Sequence, residues 1–178
     1  MNFVKHSRGF TRQDFAKRNS GGFTLIEVIT AVFVMTVGLV GVINVVQQII
    51  DYNRLLSSRL IGAYLAQEGI EIVRNIRDTN WLEVDAWNDD LEAGDHEADY
   101  DDPSLSPFIS DHFLRIDGGF YKYSLIGTPT PFKRKITIIP DGANKLKVTV
   151  EVNWGDWGES AKSIIVKENL YNWYYPSP

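Results

Sequence analysis

The chain has 178 residues, 44% hydrophobic and 23% charged, with a net charge of −5 and no cysteine. This composition fits one folded domain plus an appendage and excludes disorder throughout; the missing cysteine excludes disulfide staples, thiolate metal sites and cysteine nucleophiles. The charge is split, because residues 1–22 hold Lys5, Arg8, Arg12, Lys17 and Arg18 against Asp14, a net +4 that leaves −9 for the rest, and an acidic body argues against nucleic acid or anionic lipid as partners.

Residues 1–22 read as a basic leader, and Lys and Arg directly before an apolar stretch hold that end on the cytoplasmic side. The acidic remainder is therefore expected to be exported. From Val28 to Val46, 19 residues are interrupted only by Thr30, Thr36, Gly38, Gly41 and Asn44, close to the ~20 that cross the hydrocarbon core as a helix. No small-x-small cleavage site follows, so the segment is expected to remain in the mature protein. Between Phe23 and Ile50 the only charged side chain is Glu27. A lone charge inside a membrane segment costs roughly 2.5–3.5 kcal/mol even on permissive scales. Glu27 thus needs a partner, or else belongs to a plain signal anchor and snorkels to the interface.

Gly22-Phe23-Thr24-Leu25-Ile26-Glu27, after a basic leader and before an apolar run, resembles the cleavage and assembly motif of type IV prepilins and type II secretion pseudopilins. The resemblance implies that a prepilin peptidase cuts between Gly22 and Phe23, that the new Phe23 terminus is N-methylated, and that Glu27 pairs with the Phe23 ammonium of a neighbouring filament subunit. Glycine suits the cut, since an extended backbone without a side chain enters a narrow cleft. Unit charges ~4 Å apart gain about 4 kcal/mol at an effective dielectric near 20, enough to offset the desolvation of one ion. Further implied are other pilin or pseudopilin subunits and an inner-membrane assembly platform as partners. The implied location is a single pass through the cytoplasmic membrane with an exported C-terminal domain, then a periplasmic or extracellular filament.

Residues 23–50 form the membrane or filament-core half of a helix, and residues 51–78 its amphipathic half. In the latter, Tyr52, Leu56, Leu60, Ala63, Ala66, Ile70, Val73 and Ile76 recur at helical spacing, predicting one buried stripe. A continuous helix from about Phe23 to Asp78 would be on the order of 80 Å long. Gly38, Gly41, Gly62 and Gly69 each weaken it by up to about 1 kcal/mol relative to alanine; Gly38 and Gly41 are either flexing points or places for close helix packing.

Residues 79–112 form an acidic loop region with ten carboxylates between Glu83 and Asp102 and no Lys or Arg from Asp78 to Leu114. Asp95, Glu97, Asp99 and Asp101 place oxygen ligands at every second position, as calcium loops do. Counting from Asp95, however, Tyr100 and Ser106 occupy the places of the EF-hand glycine and bidentate glutamate. The other reading is a strand with Glu97 and Asp99 facing water and His96, Ala98 and Tyr100 facing inward.

Residues 113–178 read as an antiparallel sheet. Phe113–Ile116 and Phe120–Leu125 flank Asp117-Gly118-Gly119 as a hairpin. Strands follow at Arg134–Ile139, at Leu146–Trp154 with Leu146, Val148, Val150, Val152 and Trp154 on one face, and at Ala161–Tyr171 with Ile164, Val166 and Leu170 inward. Strands collected after one long helix give an α+β fold, with the second half of the helix packed on the sheet, the pilin-like arrangement that the resemblance also implies. The order FKRKITI, VTVEVNW and a final hydrophobic strand is similar to minor pilins of the V kind and I-type minor pseudopilins.

Catalytic signals are missing: His6 lies in the leader, and His96 and His112 sit in a region without HExxH, a nucleophile elbow or a glycine-rich loop. No enzyme and no cofactor is expected. Trp81, Trp154 and Trp173 are assigned to the core, while Trp157, Tyr174 and Tyr175 are candidate contact residues. The reading is a structural subunit, a minor pilin or pseudopilin of a type IV pilus or type II secretion-like filament. The alternative is an adhesin or binding module at the tip of such a filament.

Overall fold

The computed structural model describes residues 21–155 and 162–174; most of the leader, Trp157 with its expected chain reversal, Ala161 and Tyr175 lie outside them. The chain divides into two compact units, 1–48 and 49–178. One helix, α1 (Leu25–Glu83), runs for 59 residues, because no proline interrupts the stretch. It starts after Thr24 and continues five residues past the expected end.

Helix α1 ends through a Schellman arrangement: the Asp85 N–H donates to Asn80 O at 2.9 Å, and Val84 takes the left-handed conformation, φ 66°, that glycine usually holds there. The Asn80 side-chain amide secures the chain beyond by donating to Asp89 O at 2.8 Å.

Among the described residues eight strands follow. The main sheet has the order β2-β1-β6-β7-β8, comprising β1 (Gly94–Glu97), β2 (Ser106–Pro107), β6 (Lys133–Pro140), β7 (Lys145–Trp154) and β8 (Lys162–Tyr171). A small sheet of order β4-β3-β5 holds β3 (Arg115–Asp117), β4 (Phe120–Lys122) and β5 (Thr128–Pro129), and all pairings are antiparallel. The β3–β4 hairpin turns on Gly118 and Gly119, both at positive φ, as expected. Strand β7 buries Leu146, Val148, Val150, Val152 and Trp154, the face its alternation predicts.

The core lies between that face and residues 62–80 of α1. Ala66, Ile70, Val73 and Ile76 are buried as predicted, joined by Gly62, Leu65, Gly69 and Ile72, whereas Tyr52, Leu56, Leu60 and Ala63 are exposed. Which of these apolar residues are covered follows from where the sheet meets α1, on the side and over the length that carry Gly62 and Gly69. A β-carbon on Gly62 would lie 3.0 Å from the Trp154 ring, so this glycine, which weakens α1, also admits the sheet.

Two further expectations change. In β1, Glu97 is buried, 5% exposed, and Tyr100 is exposed; the strand ends at Glu97, so the two-residue alternation does not extend to Asp99 and Tyr100. Of the tryptophans assigned to the core, Trp154 is buried and Trp81 packs against the core cluster, but Trp173 is 65% exposed, its ring edge-on to Trp81 at 4.9 Å. It follows β8, an edge strand among the described residues.

Candidate functional site: the amino-terminal segment

Gly21, Gly22, Phe23 and Thr24 precede the helix in non-helical conformation. Thr24 is the N-cap: Glu27 N–H donates to its carbonyl at 3.1 Å and to its Oγ1 at 3.4 Å, and Val28 N–H donates to the carbonyl at 3.2 Å. This uses one half of a capping box, and the T-x-x-E spacing that signals it was available in the sequence. Glu27 stands in the first turn, where the helix dipole favours a negative charge. Its carboxylate makes no hydrogen bond or ion pair among the described residues.

Every residue from 21 to 50 is exposed. A helix that is apolar all round must be covered by lipid or by other helices, and α1 is long and apolar enough to cross a membrane. Its hydroxyls are compatible with that setting: Thr30 Oγ1 donates to Ile26 O at 2.9 Å, and Thr36 Oγ1 donates to Val32 O at 2.7 Å, leaving neither unsatisfied in lipid. Gly38 and Gly41 have no neighbouring atom within 4 Å of an added β-carbon. Farther along, Tyr52, Leu56, Leu60 and Tyr64 lie four residues apart and continue the exposed apolar surface.

The carboxylates considered for calcium are distributed differently from the sequence spacing. Asp95 accepts from Thr137 Oγ1 at 2.6 Å, while Glu97 contacts His112 Nδ1 at 2.7 Å and accepts the Ile109 N–H at 3.2 Å. Asp99 and Asp101 come together with Asp102, one ligand atom from each lying within 4.8 Å of the others. Lys122 Nζ sits 2.9 Å from Asp101 and holds its carboxyl below the usual range, chiefly through that hydrogen bond. Burial raises the Asp99 carboxyl, although the Tyr123 N–H donated to it at 2.6 Å opposes the shift.

Sequence reading missed Arg134, whose side chain is fully buried on the inward face of β6. Its guanidinium donates to Glu68 Oε1 at 2.8 Å, Leu65 O at 3.2 Å and Ala98 O at 2.6 Å, tying α1 to the segment after β1. Tyr123 donates its hydroxyl to Arg134 O at 2.6 Å. The interior polar groups thus join chain segments, and among the described residues the longest exposed apolar run is on α1.

Residues 17–43 match the family described as Prokaryotic N-terminal methylation motif. Neither a curated protein nor a solved structure gives a significant match. Lys17 and Arg18 of the leader, Gly22, Phe23, Glu27 and the first turns of the apolar helix all fall inside the matched segment, so the amino-terminal segment of the chain is similar to a prepilin-type methylation motif.

Proposed function

We propose that this protein is a minor pilin or pseudopilin that joins or primes a type IV pilus or type II secretion-like filament. Prepilin peptidase removes residues 1–22 by cutting between Gly22 and Phe23, and Phe23 becomes the methylated terminus. Residues 23–50 then pass from the cytoplasmic membrane into the filament core, with an inner-membrane platform guiding assembly, while residues 51–78 and the sheet domain stay on the exported side. The observation that carries the reading is that residues 25–50 of α1 are exposed and apolar on every side and hold one charged side chain, Glu27, whose carboxylate has no partner among the described residues. Cleavage creates the Phe23 ammonium that can neutralise it from a neighbouring subunit. The role is structural rather than catalytic.

Mass spectrometry of the mature protein should give Phe23 as a methylated first residue. Glu27→Ala should insert in the membrane normally and fail to enter filaments; filament yield equal to wild type would refute the pairing. A binding module at the filament tip is the second reading, favoured by the exposed aromatic rings of Trp173 and Tyr174. Immunogold labelling separates the two, since a tip module marks filament ends alone.

A further inference from the structure

Beside the C-terminal end of α1 lies a cavity of about 280 Å³ walled by Trp81, Trp87 and Tyr174, with Val84, Asp85 and Asn172 at its border. Its volume, below the roughly 300–1,000 Å³ of drug-sized sites, suits a small head group. Three features give it one electrostatic sign. Aromatic faces carry the negative lobe of the ring quadrupole. The Asp85 carboxylate has no hydrogen bond or ion pair among the described residues. The last turn of α1 contains no basic residue, so the negative end of the helix dipole is left without a side-chain cation there.

One of these rings already accepts a cation. The Arg77 guanidinium lies over the Trp81 ring at 4.6 Å. It is itself paired with Asp78 at 2.8 Å and adds no net positive charge. The adjoining sequence from Glu83 to Asp90 adds Glu83, Asp85, Asp89 and Asp90 and no Lys or Arg. Val84, a β-branched residue at the cavity border, is kept at φ 66°, a conformation that such residues adopt only under constraint.

We infer that this cavity binds a small organic cation of the quaternary ammonium class, its methyl groups against Trp81, Trp87 and Tyr174 and its charge balanced by Asp85. Aromatic rings recognise such cations through cation–π attraction, which a neutral ligand of the same shape does not receive. The site lies within residues 81–174 and does not depend on the filament reading.

The test uses the full chain in maltoside micelles, with choline as the probe and 3,3-dimethylbutan-1-ol as its uncharged isostere. Saturation-transfer NMR on the ligand methyl groups reads binding without relying on the fluorescence of five tryptophans. Choline should bind at least about fivefold more tightly than the isostere. Asp85→Asn should weaken choline while leaving the isostere unchanged, and Tyr174→Ala, at an exposed position, should weaken both. Equal affinity for the two ligands, choline binding indifferent to both substitutions, or no saturation transfer to choline would overturn the proposal. Circular dichroism on each variant separates lost binding from lost folding.

Discussion

Gly69 on α1 faces Val150 on β7 so closely that a β-carbon on Gly69 would lie 2.8 Å from Val150 Cγ1 and 3.1 Å from Arg134 Cδ. Helix and sheet meet here backbone to side chain. Gly69→Ala should therefore destabilise the exported domain by up to about 2 kcal/mol, overpacking of roughly 1–3 kcal/mol being offset in part by the gain in helix propensity of about 1 kcal/mol. Gly41→Ala, with nothing within 4 Å, should leave its unfolding midpoint unchanged. Thermal unfolding of both variants in micelles checks the contrast; a more stable Gly69→Ala would show that the contact relaxes freely.

Glu68 and Arg134 form the second clamp between α1 and the sheet. Glu68 is about one-third exposed, so water moderates the pair, but Arg134 stays in the core whatever its partner. Glu68→Ala should cost about 1.5–3 kcal/mol in urea unfolding, the range for hydrogen bonds to charged groups. Glu68→Gln, which retains a hydrogen-bonding oxygen, should cost less. Equal losses in the two variants would mean that charge, not the hydrogen bond, sets the effect.

Burial pushes the Tyr123 hydroxyl up to about 12 from an ordinary 10. A phenol whose folded value is raised binds its proton more tightly in the folded state. Its contribution is therefore complete below pH 10 and is lost as pH rises towards 12, amounting to about 3 kcal/mol at most. Alkaline titration of stability should show this fall. Tyr123→Phe should be less stable at neutral pH, lacking the bond to Arg134 O, and should have a shallower slope between pH 10 and 12; an unchanged slope would assign the alkaline loss to other groups.

Val84 occupies the left-handed cap of α1 at φ 66°. Val84→Gly should stabilise the domain by about 0.5–1 kcal/mol, because relief of a strain of roughly 1–2 kcal/mol exceeds the backbone entropy that glycine adds to the unfolded chain. Differential scanning calorimetry should show a higher midpoint. A lower one would mean that the valine side chain contributes more by packing at the cavity border than its backbone loses.

Leu56 and Leu60 are exposed on α1, so replacing both with serine should change domain stability by no more than about 0.5 kcal/mol per site. If this face is covered by neighbouring subunits, filament yield should fall all the same. Normal yield would confine helix contacts to residues before Asp51.

The sequence by itself determined what depends on neighbours along the chain. Glu27 behind Gly22 and Phe23 marked the amino terminus, the absence of proline permitted one long helix, and the alternation from Leu146 to Trp154 identified a strand with one buried face. These are local periodicities and short motifs, and the T-x-x-E cap at Thr24 was legible in the same way. Tertiary structure alone decided which side of α1 meets the sheet, since Tyr52, Leu56 and Leu60 are as apolar as the residues that were buried and only the close approach at Gly62 and Gly69 distinguishes the faces. It also decided that Glu97 and Arg134 lie inside and Trp173 outside. Burial of a charge depends on partners far away in sequence, as Glu68 and Ala98 are from Arg134, and exposure of a tryptophan depends on whether another strand happens to cover it.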